Sequence, residues 1–128
     1  MPLVNISLLK KKPAKYIKAV AHGVNSAVIE TMGFPVDDLY QIVHEIDPQC
    51  LQFQKRVKDR AMIQLIMRAG RSDKSKQDFY AKVVENLAHN PGIDPENVLI
   101  TIVENHDIDW SFRDGVAQFV VKGNEKAL

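Results

Sequence analysis

The chain has 128 residues, of which 45% are hydrophobic and 26% charged, as expected for one soluble globular domain. A formal net charge of +1 excludes strong global attraction to nucleic acid or to an anionic membrane, so neither is expected as a partner. No apolar run reaches the roughly 18 residues of a membrane span, and no signal-peptide pattern is found. Cys50 is the single cysteine, which excludes an internal disulfide and favours a reducing, cytoplasmic location.

The first predicted elements are a strand, a helix and a second strand. Leu3 to Leu9 is a short apolar run typical of a buried strand. Pro13 fits the first turn of a helix, and Gly33 fits its end. The apolar face of this helix is predicted from side chains at helical spacing: Ile17, Val20, Ala21, Val24 and Val28. A second strand is predicted over residues 39–46.

The same order of elements follows in the second half. Ala61 to Met67 predicts a strand, Ser72 is a candidate N-cap, and Pro91-Gly92 ends the following helix. The buried stripe of that helix is predicted to be Phe79, Val83, Leu87 and Tyr80. A last strand is predicted over residues 98–103.

An offset of 59 positions aligns the two halves. It places Gly33 on Gly92, Glu45 on Glu104 and Pro2 on Ala61. The repeat therefore covers residues 2–46 and 61–104. A polar stretch over 47–60 joins the halves as a hairpin or flap, and a C-terminal extension over 105–128 is expected to add a turn and a short strand.

The predicted fold is a single α/β (α+β) domain over residues 1–128. Its tandem β-α-β repeat places two helices on one face of a four-stranded, mainly parallel sheet. The other sheet face is also expected to be apolar, with Val4, Ile6, Ile63 and Leu65 as candidates. Because a domain of this size cannot leave such a face in water, we expect self-association through the sheets.

Pro2 is the first candidate for chemistry. If Met1 is removed, the chain begins with a secondary amine that the pyrrolidine ring holds rigidly. Such an amine can act as a base or nucleophile without a side chain, and burial beside cations would keep it uncharged. The alternative interpretation is that Pro2 only marks the start of an edge strand.

Arg68 and Arg71 are the second candidates, because arginine binds carboxylates through a planar fork of donors. Ser72 and the N-terminus of the second helix offer further donors to the same anion. The alternative is a solvated basic turn. We expect two parallel strands to bring Pro2 and the arginines to one pocket, within a chain or between subunits.

The C-terminal extension offers aromatic and acidic candidates. Trp110 and Phe112 are predicted either to form an apolar wall of the pocket or to fill the oligomer core. The acidic and histidine side chains nearby lack a recognisable ligand spacing, so no metal site is expected; they are Glu104, His106, Asp107 and Asp109.

Three segments together with Pro2 resemble the tautomerase superfamily of 4-oxalocrotonate tautomerase-like proteins. The segments are Pro35-x-x-Asp38-x-Tyr40-Gln41, Gly70-Arg71-Ser72 followed by Phe79-Tyr80, and Glu104-Asn105-x-Asp107-x-Asp109-Trp110-Ser111-Phe112. They resemble most closely the malonate semialdehyde decarboxylase-like branch, whose members have two fused units and form trimers. The resemblance implies that Pro2 and Asp38 are catalytic, whereas the local pattern alone would allow Asp38 to be a turn residue.

The spacing of the arginines departs from that branch. Two residues separate Arg68 from Arg71, where the decarboxylase has one, and this spacing is similar to that of the cis-3-chloroacrylic acid dehalogenase branch. The other catalytic residues of that branch have no match here, and a surface role is favoured for His22 and Asn25 on the first helix.

The activity common to these branches is the one we expect. It is keto–enol isomerisation of a small 2-keto or enol carboxylic acid, with Pro2 as base, Asp38 and Arg71 as catalytic partners, and no cofactor. The alternatives are decarboxylase-like, hydratase-like or dehalogenase-like activity on a three-carbon acid, or a non-catalytic oligomeric binding protein.

Overall fold

A computed structural model of the chain describes residues 1–121, and it contains the two predicted β-α-β units. The strands are β1 (Leu3–Leu9), β2 (Gln41–Ile46), β3 (Ala61–Arg68) and β4 (Val98–Asn105), and the helices are α1 (Ala14–Met32) and α2 (Asp73–His89). Short 3-10 turns lie at Pro48–Cys50, Pro95–Asn97 and Asp107–Asp109. All four strands and both helices predicted from the sequence are therefore confirmed, with ends shifted by up to two residues.

The two helices begin and end at residues suited to these positions. Pro13 precedes α1, and Gly33 ends that helix in the left-handed conformation, with φ of 72°. Ser72 caps α2, because its side chain accepts a hydrogen bond from the backbone N–H of Ser75 at 3.1 Å. The caps expected from the sequence are thus confirmed.

The sheet has the order β2-β1-β3-β4. Each repeat unit forms a parallel pair, β1 with β2 and β3 with β4, while the two units join through an antiparallel β1–β3 pair. In that pair Leu3 lies opposite Ile66 and Ile6 opposite Ile63. Asn5 and Gln64, which are equivalent in the repeat, face each other at its centre, and the Asn5 Nδ2 donates to the Gln64 Oε1 at 3.4 Å.

The hydrophobic core lies between the sheet and the two helices. Strand side chains at alternate positions fill it from below, and the helix stripes fill it from above; the most buried are Ile6, Leu8, Ile63, Leu65, Met67, Val20, Val24, Phe79, Val83 and Leu87. The assignment of Val4, Ile6, Ile63 and Leu65 to the opposite sheet face is therefore wrong. The prediction that Tyr80 belongs to the buried stripe of α2 is also wrong, since 37% of its surface is exposed.

The sheet face away from the helices is mixed in character. Its polar centre contains Asn5, Gln64 and His44, whose Nε2 lies 3.1 Å from the Asn5 Oδ1. Apolar side chains on the outer strands remain exposed on this face, with Ile42 at 48% and Leu99 at 42%. The face is less apolar than expected, because the apolar alternate positions of β1 and β3 point towards the helices.

The loop between the two units and the described part of the C-terminal extension both lack expected strands. Residues 47–60 form a 3-10 turn and irregular loop without a hairpin, and Arg60 lies buried beneath it. Residues 110–121 contain turns and an isolated bridge between Arg113 and Val116, so the short strand expected in the extension is absent from its described part. Residues 122–128 of that extension lie outside the description. Within residues 1–121, neither helix combines the length and apolar content that a bilayer span requires.

Candidate active site

A cavity of about 500 Å³ opens where β1 begins and β3 ends. Its lining includes the chain terminus, two aromatic rings and four charged side chains: Met1, Phe34, Phe119, Asp37, Asp38, Arg68 and Arg71. This volume is within the range of small-molecule binding sites. The cavity therefore brings together three of the residues selected from the sequence and the end of the chain that carries Pro2.

Antiparallel pairing of β1 with β3 builds this cavity. The register of Leu3 opposite Ile66 places the start of β1 beside the end of β3, where Arg68 is the last strand residue. The expectation that two parallel strands would bring these residues together is wrong. Parallel pairing would instead have placed Pro2 near Ala61, at the opposite end of β3 from the arginines.

The chain terminus lies inside the cavity. The Met1 amino nitrogen is 3.6 Å from the Asp38 Oδ2, and the Asp38 side chain is only 11% exposed. Burial lowers the pKa of this amino group, Asp38 opposes the change, and the nearby charges of Arg68 and Arg71 lower the pKa further. Pro2 is buried, and its nitrogen is here part of the peptide bond to Met1.

Arg71 is held at the entrance to α2 by contacts with the end of α1. Its Nε and Nη2 both donate to the Met32 carbonyl at 3.3 Å, and its guanidinium lies 4.2 Å from the centre of the Phe34 ring. Burial, and then the charge of Arg68, lower the pKa of this guanidinium. Because arginine remains charged far above neutral pH, the group remains a cation available to an anionic ligand.

Arg68 reaches the cavity from the end of β3. Its Nη1 donates to the Asp107 Oδ1 at 3.1 Å, and its guanidinium carbon lies 3.7 Å from the centre of the Phe119 ring. The buried Nε has no hydrogen-bond partner among the described residues. The guanidinium is thus positioned by one carboxylate and one aromatic face, and retains donors that a ligand can use.

Trp110 and Phe112 lie behind the cavity wall, outside its lining in this single chain. Trp110 stacks on Phe112 with ring centres 5.2 Å apart, and Phe112 meets Phe119 edge to face at 5.2 Å. The sequence analysis did not select Phe119, which lies in the C-terminal extension where only a turn and a short strand are expected. It also missed Phe34, which directly follows the helix-ending Gly33.

The remaining candidates lie elsewhere. Asn25 is half-buried on α1, and His22 lies beside Ser26 in a groove between the helices, with the His22 Nε2 3.4 Å from the Ser26 Oγ. In residues 1–121 no three acidic, histidine or cysteine side chains are grouped closely enough to hold a metal ion.

The sequence is similar to known tautomerases. Two tautomerase enzyme sequence profiles match the chain, one over residues 2–60 and the other over residues 38–113. The chain belongs to the tautomerase family. It is also similar to the probable tautomerase YrdN of Bacillus subtilis, with 32% identity over 94% of this chain and 97% of the relative. A second relative, the probable tautomerase YusQ of the same organism, is 26% identical over 94% of this chain and 99% of the relative.

Solved structures of this family have the same architecture. The FG41 malonate semialdehyde decarboxylase inhibited by 3-bromopropiolate superposes with a TM-score of 0.86 at 31% identity, covering 92% of this chain and 94% of that one. Another malonate semialdehyde decarboxylase superposes with a TM-score of 0.82 at 28% identity, covering 91% and 95%. A fused 4-oxalocrotonate tautomerase, a symmetric trimer, superposes with a TM-score of 0.79 at 17% identity, covering 89% and 94%, and this match shows the shared fold alone.

Proposed function

We propose that this tautomerase family member isomerises small 2-keto and enol carboxylic acids, with the secondary amine of Pro2 as the base. Removal of Met1 is required, since it converts the Pro2 nitrogen from an amide into an amine. The observation that supports the proposal is the convergence of the chain terminus, Asp38 and two arginines in one cavity.

The environment of the terminus favours an uncharged amine. Burial, Arg68 and Arg71 lower the pKa of the present amino group, and Asp38 moderates that decrease. The Pro2 nitrogen lies one residue deeper and would experience the same groups. An amine whose pKa approaches the working pH can both accept and return a proton, which is the requirement for a general acid–base catalyst.

The proposed reaction moves one proton within the bound substrate. Arg71 and Arg68 bind the carboxylate, so that the enol hydroxyl faces Pro2. The Pro2 nitrogen takes the hydroxyl proton, the C–O bond becomes a carbonyl, and the electrons of the carbon–carbon double bond take back the proton from nitrogen. Asp38 stabilises the ammonium form during this cycle, and the amine is neutral again at its end.

Decarboxylation of a three-carbon 3-oxo acid is a second candidate. It is supported by the 31% identity and the TM-score of 0.86 with the malonate semialdehyde decarboxylase, and by the largely buried Asp38 beside the amine. The arginine spacing differs from that branch, so we place isomerisation first. Carbon dioxide release from malonate semialdehyde, assayed beside enol ketonisation, would rank the two activities.

We also propose that the chain assembles as a homotrimer through the open sheet face. The support is the exposed Ile42, Leu99 and Val103 on that face, together with the trimer formed by the fused relative. Light scattering should give three times the chain mass. A monomer at micromolar concentration would contradict this assembly.

The decisive experiment compares three forms of the protein, each identified by intact mass. They are the processed wild type, a chain that keeps Met1, and Pro2→Ala, each assayed for ketonisation of the phenylpyruvate enol. We expect kcat/KM to fall by about 10²- to 10⁴-fold in both altered forms, the usual contribution of a positioned base. Equal rates in all three would favour a non-catalytic oligomeric binding protein.

A further inference from the structure

We infer that Gln118 is a positioning residue for the proposed reaction, because it fixes the aromatic face that holds the carboxylate-binding Arg68. The inference rests on the proposed function of the cavity and extends it to a residue outside the lining.

Gln118 is a buried polar residue, only 2% exposed. Its side chain bonds back to the backbone of Phe112 and Arg113, earlier in the same loop. Its Oε1 accepts a hydrogen bond from the Phe112 backbone N–H at 2.8 Å, and its Nε2 donates to the Arg113 carbonyl at 2.8 Å. A polar group in the interior is costly unless both its donor and its acceptor are paired. This loop therefore has one favoured conformation, the one in which both bonds form.

The two hydrogen bonds fix the positions of the Phe112 and Phe119 rings, which lie beside Arg68. One bond is made to the backbone of Phe112, and the next residue after Gln118 is Phe119. These two rings meet edge to face, with centres 5.2 Å apart and planes at 90°. Phe119 then presents its face to the Arg68 guanidinium at 3.7 Å, so the position of the glutamine determines the position of that face.

The far end of the same loop is also anchored. The Trp110 Nε1 donates to the Asn105 Oδ1 at 2.6 Å, and Trp110 stacks on Phe112. Asn105 is the last residue of β4 and lies opposite Arg68 in the sheet. The rings are therefore fixed at both ends, by Asn105 at the sheet and by Gln118 inside the loop.

Arg68 needs this support because few other contacts hold it. Its side chain is 33% exposed, its Nε lacks a partner among the described residues, and Asp107 pairs with its Nη1 from the outer side. Without the ring, the long side chain gains rotamer freedom and is drawn towards Asp107. The guanidinium then leaves both the substrate carboxylate and the amine whose charged form it disfavours.

Two kinetic consequences follow from a displaced Arg68. Carboxylate binding weakens equally in the ground state and the transition state, so KM rises while kcat changes little. The amine also loses a neighbouring cation, so its pKa rises and the acid limb of the kcat/KM profile moves to higher pH. A merely destabilised loop would change the melting temperature without producing either effect.

The test uses Gln118→Met, which keeps the approximate volume and removes both hydrogen bonds, and Phe119→Leu, which removes the aromatic face. We expect each to raise KM for the phenylpyruvate enol about tenfold with kcat within about twofold, and to shift the acid limb upwards. Because both act through one contact, the double variant should be no worse than the poorer single variant.

Arg60→Met is the matched control. Arg60 is likewise buried, at 5% exposure, and donates to three backbone carbonyls of the loop over residues 48–58, outside the cavity. The Arg60→Met substitution should lower the melting temperature, while KM and the pH profile remain those of the wild type. If Gln118→Met lowers the melting temperature and changes neither KM nor the profile, the inference is overturned.

Failure of the proposed function gives a different result. A wild type without turnover overturns that function, and the positioning role is then measured by calorimetric binding of phenylpyruvate. A dissociation constant about tenfold weaker in Gln118→Met and Phe119→Leu supports the role of Gln118, and equal constants overturn it. Should Gln118→Met fail to fold, Phe119→Leu still allows refutation, because a wild-type KM and pH profile in that variant would show that the ring fixed by Gln118 does not hold Arg68.

Discussion

The two repeat units have the same elements but different chemistry. Near-twofold symmetry gives the sheet two equivalent ends, one with the cavity of about 500 Å³ that holds the chain terminus and one with a smaller pocket of about 310 Å³ beside Asn97. The 59-residue offset relates Pro2 to Ala61, Asp38 to Asn97 and Arg71 to Lys12. Only one unit can place a chain terminus at its first strand, since the equivalent position in the other unit lies in the middle of the chain.

The charged residues of the cavity also have less reactive equivalents in the other unit. Lys12, the equivalent of Arg71, forms an ion pair with Asp59, and Asn97 is a buried neutral amide. Arg71 instead donates to a backbone carbonyl, and no ion pair with a carboxylate is found for it among residues 1–121. Both halves therefore share one framework, whereas the chain terminus, Arg68 and Arg71 lie together at one end of the sheet.

Some substitutions make the cavity more like the equivalent end of the second unit. Among them we expect the largest effect from Asp38→Asn, because Asn97 is the equivalent of Asp38. We expect kcat/KM for the phenylpyruvate enol to fall by about 10²-fold, since the ammonium intermediate loses its counter-charge. Asp38 raises the pKa of the amine, so its removal should move the acid limb of the pH profile to lower pH. Asp37→Asn also removes a carboxylate from the cavity lining, but Asp37 is exposed and does not act on the pKa of the amine, so kcat/KM should change by less than about threefold.

A smaller effect is expected for Arg71→Lys, which gives the cavity the cation of the second unit. Lysine keeps the charge but loses the planar fork, so KM for the enol should rise about tenfold. The matched control is Lys12→Arg at the other end of the sheet, which should leave KM unchanged. A KM increase in the control as large as that in Arg71→Lys would contradict the asymmetry of the two ends.

The smallest effect concerns the helix starts. Ser72 caps α2 with its side chain, whereas Pro13 offers α1 no side-chain cap. We expect Ser72→Ala to lower the free energy of unfolding by about 1 kcal/mol in urea denaturation. Ser72→Asn keeps an acceptor at the cap and should retain most of that stability. A loss as large in Ser72→Asn would assign the effect to another contact of this serine.

The sequence was sufficient for the elements and for their repetition, because the two periodicities and the helix ends are local signals. It was insufficient to predict that β1 and β3, which join the two units, pair antiparallel. Hydrophobic alternation in β1 is the same whether β3 runs parallel or antiparallel to it, so the pairing of Leu3 with Ile66 had no local signature.

The inward face of the strands could have been predicted. Asn5 and Ser7 alternate with Val4 and Ile6, and this pattern already indicates which positions avoid water. Asp38 was selected through the resemblance of its segment, and the arginines through their carboxylate-binding chemistry at the end of a predicted strand; all three line one cavity. Phe119 and Gln118 were not recognised, because their positions depend on a loop without regular structure.

The position of Met1 has a practical consequence for handling the protein. Any peptide joined to this end, such as an affinity tag, would have to pass through the cavity and would compete there with small ligands. If Pro2 is the base as proposed, such an extension also keeps its nitrogen an amide, so a tagged sample would fold normally and show no turnover. Purification handles therefore belong at the carboxyl end, or must be cleaved without leaving a residue behind.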